Sequence, residues 1–218
     1  ENNLTQIFSS DRTGSIIFND NDYNFKNLVF ENLSKPNLAS FILFGGVNFI
    51  NSNINLDNVY IKDSNNEDGI NIINSVSQIS NIYFENIKAD AFDLDFGKLD
   101  FKNIDCKNIN NDCLDISGAK VSGTGLYSKN TYDKGVSVGE NSNVIISDLN
   151  ALNNNIGLAV KDGSFAKFKN INFNKNNYDI ILFNKKKEFL KPSLIVDNMN
   201  HVDKDKILQS IDTKLVIN

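Results

Sequence analysis

Acidic and basic side chains recur at regular intervals through the middle of the chain. They are Asp93, Asp95, Asp112, Asp115, Lys134, Glu140, Lys161 and Asp162, with Ser137 among them. A carboxyl group can donate or accept a proton, and a lysine can neutralise a substrate carboxylate or act as a base when its pKa is lowered. This set of residues therefore predicts acid–base chemistry on an anionic substrate, provided that the fold brings them together.

The fold that would do so is indicated by a segment that recurs with a step of 22 residues. Its copies are DGINIIN from Asp68, DAFDLDF from Asp90, DCLDISG from Asp112, KGVSVGE from Lys134, IGLAVKD from Ile156 and YDIILFN from Tyr178. The third and fifth residues of each copy are apolar, and this two-residue alternation is typical of strands. Stacking the copies buries these pairs and leaves the fourth and sixth residues on an outer wall, with neighbouring coils roughly 4.8 Å apart.

The repeat predicts an all-β fold, a right-handed parallel β-helix with about 22 residues per coil and atypical terminal caps. We expect residues 1–218 to form one domain, with regular coils over about 47–195 and a C-terminal cap over about 196–218. Within that cap, KILQSI at 206–211 predicts a short helix before a last strand.

A column of asparagines follows nearly the same step. Its members are Asn58, Asn81, Asn103, Asp148 and Asn170, and Thr124 or Gly125 interrupts the series. Asparagine tolerates left-handed backbone, and its amide can hydrogen bond to neighbouring coils. We therefore interpret this column as structural.

On the wall, Asp93 and Asp115 are predicted to be vertical neighbours about 5 Å apart, with Asp95 on the same face. Carboxylates this close disfavour joint ionisation, so a shared proton, a metal ion or a lysine must offset them. The three aspartates are candidate Ca²⁺ ligands, because Ca²⁺ takes several oxygen ligands in flexible geometry. The candidate catalytic residues are Lys134, Lys161, Asp115 and Glu140.

Small residues between these groups predict a shallow groove suited to an acidic polysaccharide. They are Ser117, Gly118, Ser137, Gly139 and Ala159. The candidate substrate-binding residues are Asp93, Asp95, Asp112, Ser137 and Asp162. The alternative is that the outward aspartates and turn lysines only keep the wall soluble and prevent edge pairing.

The repeat resembles the pectate-lyase-like superfamily of right-handed β-helix proteins. The stretches YDKGVSVGENS at 132–142 and AVKDGS at 159–164 further resemble a DKG-S-GE and KDGS pattern of bacterial β-helix proteins found with cell-surface polysaccharide systems. The best-known relatives use an arginine, or an aspartate trio with histidine and arginine. Here the lone Arg12 and the lone His201 lie outside the cluster.

The resemblance and the cluster together predict a lyase or epimerase acting on a uronate-containing extracellular or capsular glycan. In this reading Lys134 or Lys161 is the base or the cation that neutralises the substrate carboxylate. A glycoside hydrolase using Asp93 or Asp95 with Asp115 is a third possibility. The rival is a non-catalytic polysaccharide-binding, adhesive or scaffold module, since fold alone does not give function.

Composition bounds the remaining choices. The net charge of −5 and the lack of a basic cluster with interleaved aromatics argue against nucleic acid as a partner. No stretch is apolar enough to span a membrane. The sequence leaves the pairing of Cys106 and Cys113 open. No signal peptide is present, but a start at Glu1 without Met favours a processed, exported protein.

Overall fold

The computed structural model describes residues 4–34 and 44–218, which form a parallel β-solenoid of two sheets. Each regular coil supplies one short strand to one sheet and one longer strand to the other. The predicted all-β architecture with about 22 residues per coil is confirmed, and the described part of the chain contains no α-helix. Within it, no helix is long and apolar enough to cross a membrane.

The longer strands form sheet A and the shorter strands form sheet B. Sheet A contains, in spatial order, β1 (Thr5–Phe8), β3 (Asp22–Glu31), β5 (Asn53–Lys62), β7 (Val76–Ile87), β9 (Lys98–Ile109), β11 (Lys120–Thr131), β13 (Asn143–Leu152), β15 (Phe165–Asn174), β17 (Ser193–Met199) and β19 (Lys214–Ile217). Sheet B contains β2 (Ile16–Asn19), β4 (Gly45–Ile50), β6 (Asp68–Ile73), β8 (Asp90–Asp95), β10 (Leu114–Ser117), β12 (Lys134–Gly139), β14 (Ile156–Lys161), β16 (Tyr178–Phe183) and β18 (Ile207–Gln209).

The core consists of the aliphatic columns that the repeat predicts. In sheet B, Ile70 pairs with Phe92 and Phe92 with Leu114, and these side chains are fully buried. Ile72 and Leu94 belong to the second buried column, in which Phe49 precedes them. Burying each such side chain contributes about 1.5–3 kcal/mol, so the stacked columns supply most of the stabilisation of the solenoid.

The predicted asparagine column lies at a bend within sheet A, where its residues have a positive φ. Asn58 has a φ of 56° and Asn103 a φ of 63°. The Asn103 side-chain amide donates a hydrogen bond to the Asn81 side-chain oxygen at a distance of 2.8 Å, and Asn170 donates one to the Asp148 carboxyl at 2.9 Å. Gly125, with a φ of 75°, occupies the interrupted position, where a Cβ would come within 2.5 Å of the Asn103 side-chain oxygen. The structural interpretation of this column is therefore confirmed.

The C-terminal residues continue the stacking instead of forming a helix. A 3₁₀ turn at Lys204–Lys206 leads into β18, which pairs with β16, and β19 then pairs with β17. The helix predicted at 206–211 is therefore wrong, because Ile207 and Leu208 continue the column of sheet B. The predicted last strand is confirmed.

The two cysteines form a disulfide inside the solenoid. Cys106 lies in β9 and Cys113 lies just before β10, with their Cα atoms 5.8 Å apart. Both residues are fully buried. The bond ties a long strand to the short strand of the following coil, next to the coils that carry the candidate site.

Candidate functional site

The outer face of sheet B carries the predicted cluster, which we call the acidic wall. It comprises Asp68, Asp90, Asp93, Asp95, Asp112, Asp115, Lys134, Ser137 and Lys161 on β6 to β14 and the residues beside them. The strands place these residues in vertical columns, because the sheet is parallel and in register. One column runs through Asn71, Asp93, Asp115, Ser137 and Ala159.

Asp93 and Asp115 are direct neighbours across β8 and β10, as the sequence predicts. The Asn71 amide donates to the Asp93 carboxyl over 2.8 Å. Burial, followed by the nearby charges of Asp95, Asp115 and Asp90, raises the pKa of Asp93 to about 8. Asp93 is therefore a protonated acid at neutral pH. Burial also raises the pKa of Asp95.

A second column lies at the start of the same strands and is more deeply buried. Burial and the nearby charge of Asp93 raise the pKa of Asp68 to about 9. The pKa of Asp112 is raised by burial to about 7, against the opposing effect of the Lys134 charge. Burial raises the pKa of Asp90 to about 6, although this carboxyl accepts hydrogen bonds from the Asn111 amide and the Asp112 backbone, both over 2.7 Å. These groups titrate across the neutral range.

Lys134 is held as an ammonium group at the end of this column. Its Nζ lies 3.1 Å from one Asp112 carboxyl oxygen and also contacts the Asp133 carboxylate. Burial would lower the pKa of Lys134, but the two carboxylates outweigh burial and raise it. Because its three N–H groups are donated to these two carboxylates, the geometry disfavours both predicted roles of Lys134, the base and the cation that binds a substrate carboxylate.

Lys161 lies across the wall instead of beside it. A Cβ on Gly139 would come within 2.8 Å of the Lys161 Cε, so the lysine stem lies over this glycine. The Lys161 Nζ ends 3.8 Å from the Asp115 carboxylate. The small side chains that predict a groove therefore make room for Lys161. Ala159 and Ser137 are fully buried, and the lysine side chain is only 10% exposed.

Several buried polar atoms on the wall have no hydrogen-bond partner among the described residues. They are Asp68 Oδ2, Asn71 Oδ1, Asp115 Oδ1 and Ser137 Oγ. Three of them belong to the column through Asp93. A buried polar atom without a partner costs about 1–3 kcal/mol, so an arrangement that keeps several in a row is expensive for the fold alone.

The two remaining predicted residues are engaged by the turn after β16. One Asp162 oxygen accepts the backbone amides of Lys185 and Lys186, both over 2.7 Å, and Asp162 is 1% exposed. The Lys186 ammonium binds the Glu140 carboxylate. Glu140 has a φ of 57°, which is the backbone of a turn. Both acids thus hold this turn against the wall.

No group of three or more histidine, cysteine, aspartate or glutamate side chains in residues 4–34 and 44–218 is arranged to hold a metal ion. The Ca²⁺ site at Asp93, Asp95 and Asp115 stays a prediction. The three carboxyls lie on one face of β8 and β10, but they are not arranged as a metal-binding group.

Asp68 and Asp90 are the wall residues that the sequence argument missed. Both open a copy of the repeat, as do Asp112 and Lys134, so the first position forms a column of three acids and one base. That column was a usable signal. The burial of these acids could not be predicted from the sequence, because outward residues of a strand normally face solvent.

A scan against protein-family models and searches of curated proteins and of solved structures found no match for this chain. The solenoid fold and the geometry of the acidic wall are accordingly the observations on which a functional argument rests.

Proposed function

We propose that the protein acts at the acidic wall on a uronate-containing extracellular or capsular polysaccharide, as a lyase or an epimerase. The observation that carries the proposal is the sequence of three groups on neighbouring coils. Asp93 is a carboxylic acid with a pKa of about 8, Asp115 is its neighbour on the next strand, and the Lys161 ammonium lies 3.8 Å from Asp115. Asp93, Asp115 and Lys161 thus place a proton donor, a carboxylate and a cation next to one another on the wall.

These groups match what elimination from a uronate requires. Lys161 binds the substrate carboxylate, which makes the adjacent C–H bond more acidic. The Asp115 carboxylate takes that proton, the bond from the next ring carbon to the departing sugar oxygen breaks, and a carbon–carbon double bond forms. The departing oxygen takes its proton from Asp93. In an epimerase, the carbanion would instead receive a proton on its opposite face.

Lys134 has a positioning role in this scheme. Its ammonium group donates to both Asp112 carboxyl oxygens and to Asp133, so it neutralises these acids and fixes the edge of the wall. Glu140 and Asp162 contribute indirectly, because they hold the turn after β16 against the coils that carry Lys161.

The raised pKa of Asp93 also bears on the stability of the fold. The column before Asp93 consists of Asn48 and Asn71, and an asparagine at position 93 could continue it while still accepting the Asn71 hydrogen bond. An aspartate there must instead be protonated at neutral pH, which is costly. Retaining a destabilising residue is typical of functional sites.

The stacked coils of about 22 residues support membership of the pectate-lyase-like superfamily, and the buried disulfide supports an oxidising, extracytoplasmic location. Both remain part of the proposal. The acidic polysaccharide is the proposed partner.

A non-catalytic polysaccharide-binding module is the second candidate. It is favoured by the position of Lys161, whose stem fills the space over Gly139 and leaves the wall shallow. A shallow wall can bind a chain but encloses it less than a cleft would, and exclusion of water usually accompanies catalysis.

The decisive experiment is ultraviolet detection of unsaturated products while the protein is incubated with a panel of polyuronates, with added Ca²⁺ and with a chelator. Product analysis of the same reactions detects epimerisation. We expect Asp115→Asn to lower turnover at least about 100-fold and Lys161→Gln to lower it as well. Lys120→Gln, an exposed lysine on sheet A, is the matched control.

Turnover that survives both wall substitutions would overturn the assigned roles. Binding to a polyuronate without any turnover would reject the enzyme and leave the binding module.

A further inference from the structure

A groove of about 780 Å³ runs along a different part of the solenoid, at the corner where each long strand of sheet A leads into the next short strand of sheet B. Two rows of turn residues line it, and both follow the step of the repeat. The first row contains Asp63, Asn86, Asn108, Asn130, Asn153 and Lys175. The second row lies two residues further along the chain and contains Asn65, Lys88, Asn110, Tyr132, Asn155 and Asn177.

The corner groove is long and straight because the solenoid is in register. Six coils contribute to it, and at roughly 4.8 Å per coil its length is about 24 Å. Its floor consists of the residues between the two rows, such as Ser64, Ile87 and Thr131, which are buried. A groove of this form suits an extended chain better than a compact ligand.

The first row presents a regular series of amides. Asn108 donates to Asn86 over 3.1 Å, and Asn130 donates to Asn108 over 3.0 Å. At its two ends the same pattern reaches Asp63 and Asn153. A side-chain amide has two N–H groups and an oxygen with two lone pairs, so one donor and one acceptor per coil remain for a ligand. Repeated hydroxyl groups are the natural partners of such a series.

The second row supplies an aromatic ring and a positive charge. Tyr132 is 75% exposed in the middle of the groove, which is unusual for a side chain with a large apolar face. Three cationic side chains, Arg12, Lys88 and Lys175, line the groove against the single acidic Asp63. The groove is thus positive on a chain whose net charge is −5, and it attracts anions.

We propose that the corner groove binds one strand of an anionic polysaccharide lengthwise. Its hydroxyl groups bond to the amide row, a sugar ring packs on Tyr132, and its acidic groups lie at Lys88 and Lys175. The ligand class is the one in the proposed function, but the inference rests on the groove alone. Lys134 follows Tyr132 by two residues, so a strand in the groove would run along the edge of the acidic wall.

The test is binding of the full chain to polygalacturonate, to neutral dextran and to single-stranded DNA, measured by titration calorimetry at two salt concentrations. We expect Tyr132→Ala to weaken polygalacturonate binding about tenfold, which corresponds to about 1.4 kcal/mol. The double variant Lys88→Gln/Lys175→Gln should weaken it further and reduce its salt dependence. Phe165→Ala and Lys98→Gln/Lys120→Gln, which change exposed residues of sheet A, are the matched controls.

Wall variants separate this inference from the proposed function. If Asp115→Asn abolishes turnover but leaves polygalacturonate affinity unchanged, while Tyr132→Ala lowers the affinity, both proposals stand. If no variant or wild type shows turnover but the groove variants still lose affinity, the groove inference survives alone. Unchanged affinity in the groove variants, no binding of polygalacturonate by the wild type, or tighter binding of DNA would overturn it.

Discussion

Replacing Asp93 with asparagine should stabilise the protein at neutral pH. The folded carboxyl has a pKa of about 8, whereas an unperturbed aspartate in the unfolded chain titrates near 3.8. Between these two values the chain takes up a proton when it folds, so stability falls as the pH rises. Above the pKa of the folded state this loss of stability has reached its full size, and below the pKa of the unfolded state there is no such loss.

The magnitude follows from the width of that window. Each pH unit within it is worth about 1.4 kcal/mol, so between pH 5 and pH 7 the wild type loses about 3 kcal/mol that Asp93→Asn keeps. The Asn71 hydrogen bond has an acceptor in either protein. Asp90 and Asp112 are present in both proteins, so their own proton uptake largely cancels in the comparison. The pKa of Asp68 is raised in part by the charge of Asp93, so Asp93→Asn lowers it and adds to the stabilisation.

The assay is urea unfolding of both proteins at pH 5, 6 and 7, with the free energy of unfolding extrapolated to water. Asp100→Asn, which changes an exposed aspartate on sheet A, should leave the pH dependence as it is in the wild type. Equal pH slopes for the wild type and Asp93→Asn would refute the reasoning, because Asp93 would then not bind a proton on folding. Destabilisation of the variant at pH 7 would refute it as well.

Three further outcomes are expected. Cys106→Ala/Cys113→Ala should lower the free energy of unfolding by about 2–3 kcal/mol relative to the oxidised protein, and reduction of the wild type should reproduce most of that loss in a urea titration. Phe96→Asn should raise it by about 1 kcal/mol in the same titration, because Phe96 has a φ of 54°, where asparagine is tolerated far better. Gly139→Val should displace the Lys161 stem and reduce polyuronate turnover or polyuronate binding at the wall. In thermal unfolding it should lower the free energy of unfolding less than the core variant Phe92→Ala does, for which the expected loss is about 3–5 kcal/mol.

The regular coils could be predicted from the sequence because two periods agree. Ile70 and Ile72 alternate with polar residues, which identifies a strand, and the step of 22 residues then fixes which residues stack on them. The neighbours Asp93 and Asp115 follow from the same register. The terminal residues do not follow it, because Ile207 and Leu208 lie outside the constant step and their apolar pattern also fits a helix.

The side-chain arrangement of the site could be predicted only in part. Register places Lys161 one strand beyond Gly139, but not the path of its stem over that glycine towards Asp115. Long side chains cross from coil to coil, and their rotamers depend on packing that cannot be read from the sequence. The corner groove was missed for another reason. Its amide row resembles the structural asparagine column, and what distinguishes its surroundings is the exposure of Tyr132 together with the cationic side chains of Arg12, Lys88 and Lys175.

The constant step between coils also has an evolutionary consequence. Each coil of about 22 residues is a complete structural unit, because it enters both sheets and leaves them in register. Asn108 and Asp115 lie in the same coil, so duplication of that coil would lengthen the corner groove by one amide and the acidic wall by one strand at the same time. The length of ligand that such a solenoid accommodates can therefore change in steps of one coil, roughly 4.8 Å, through in-frame duplication of one repeat.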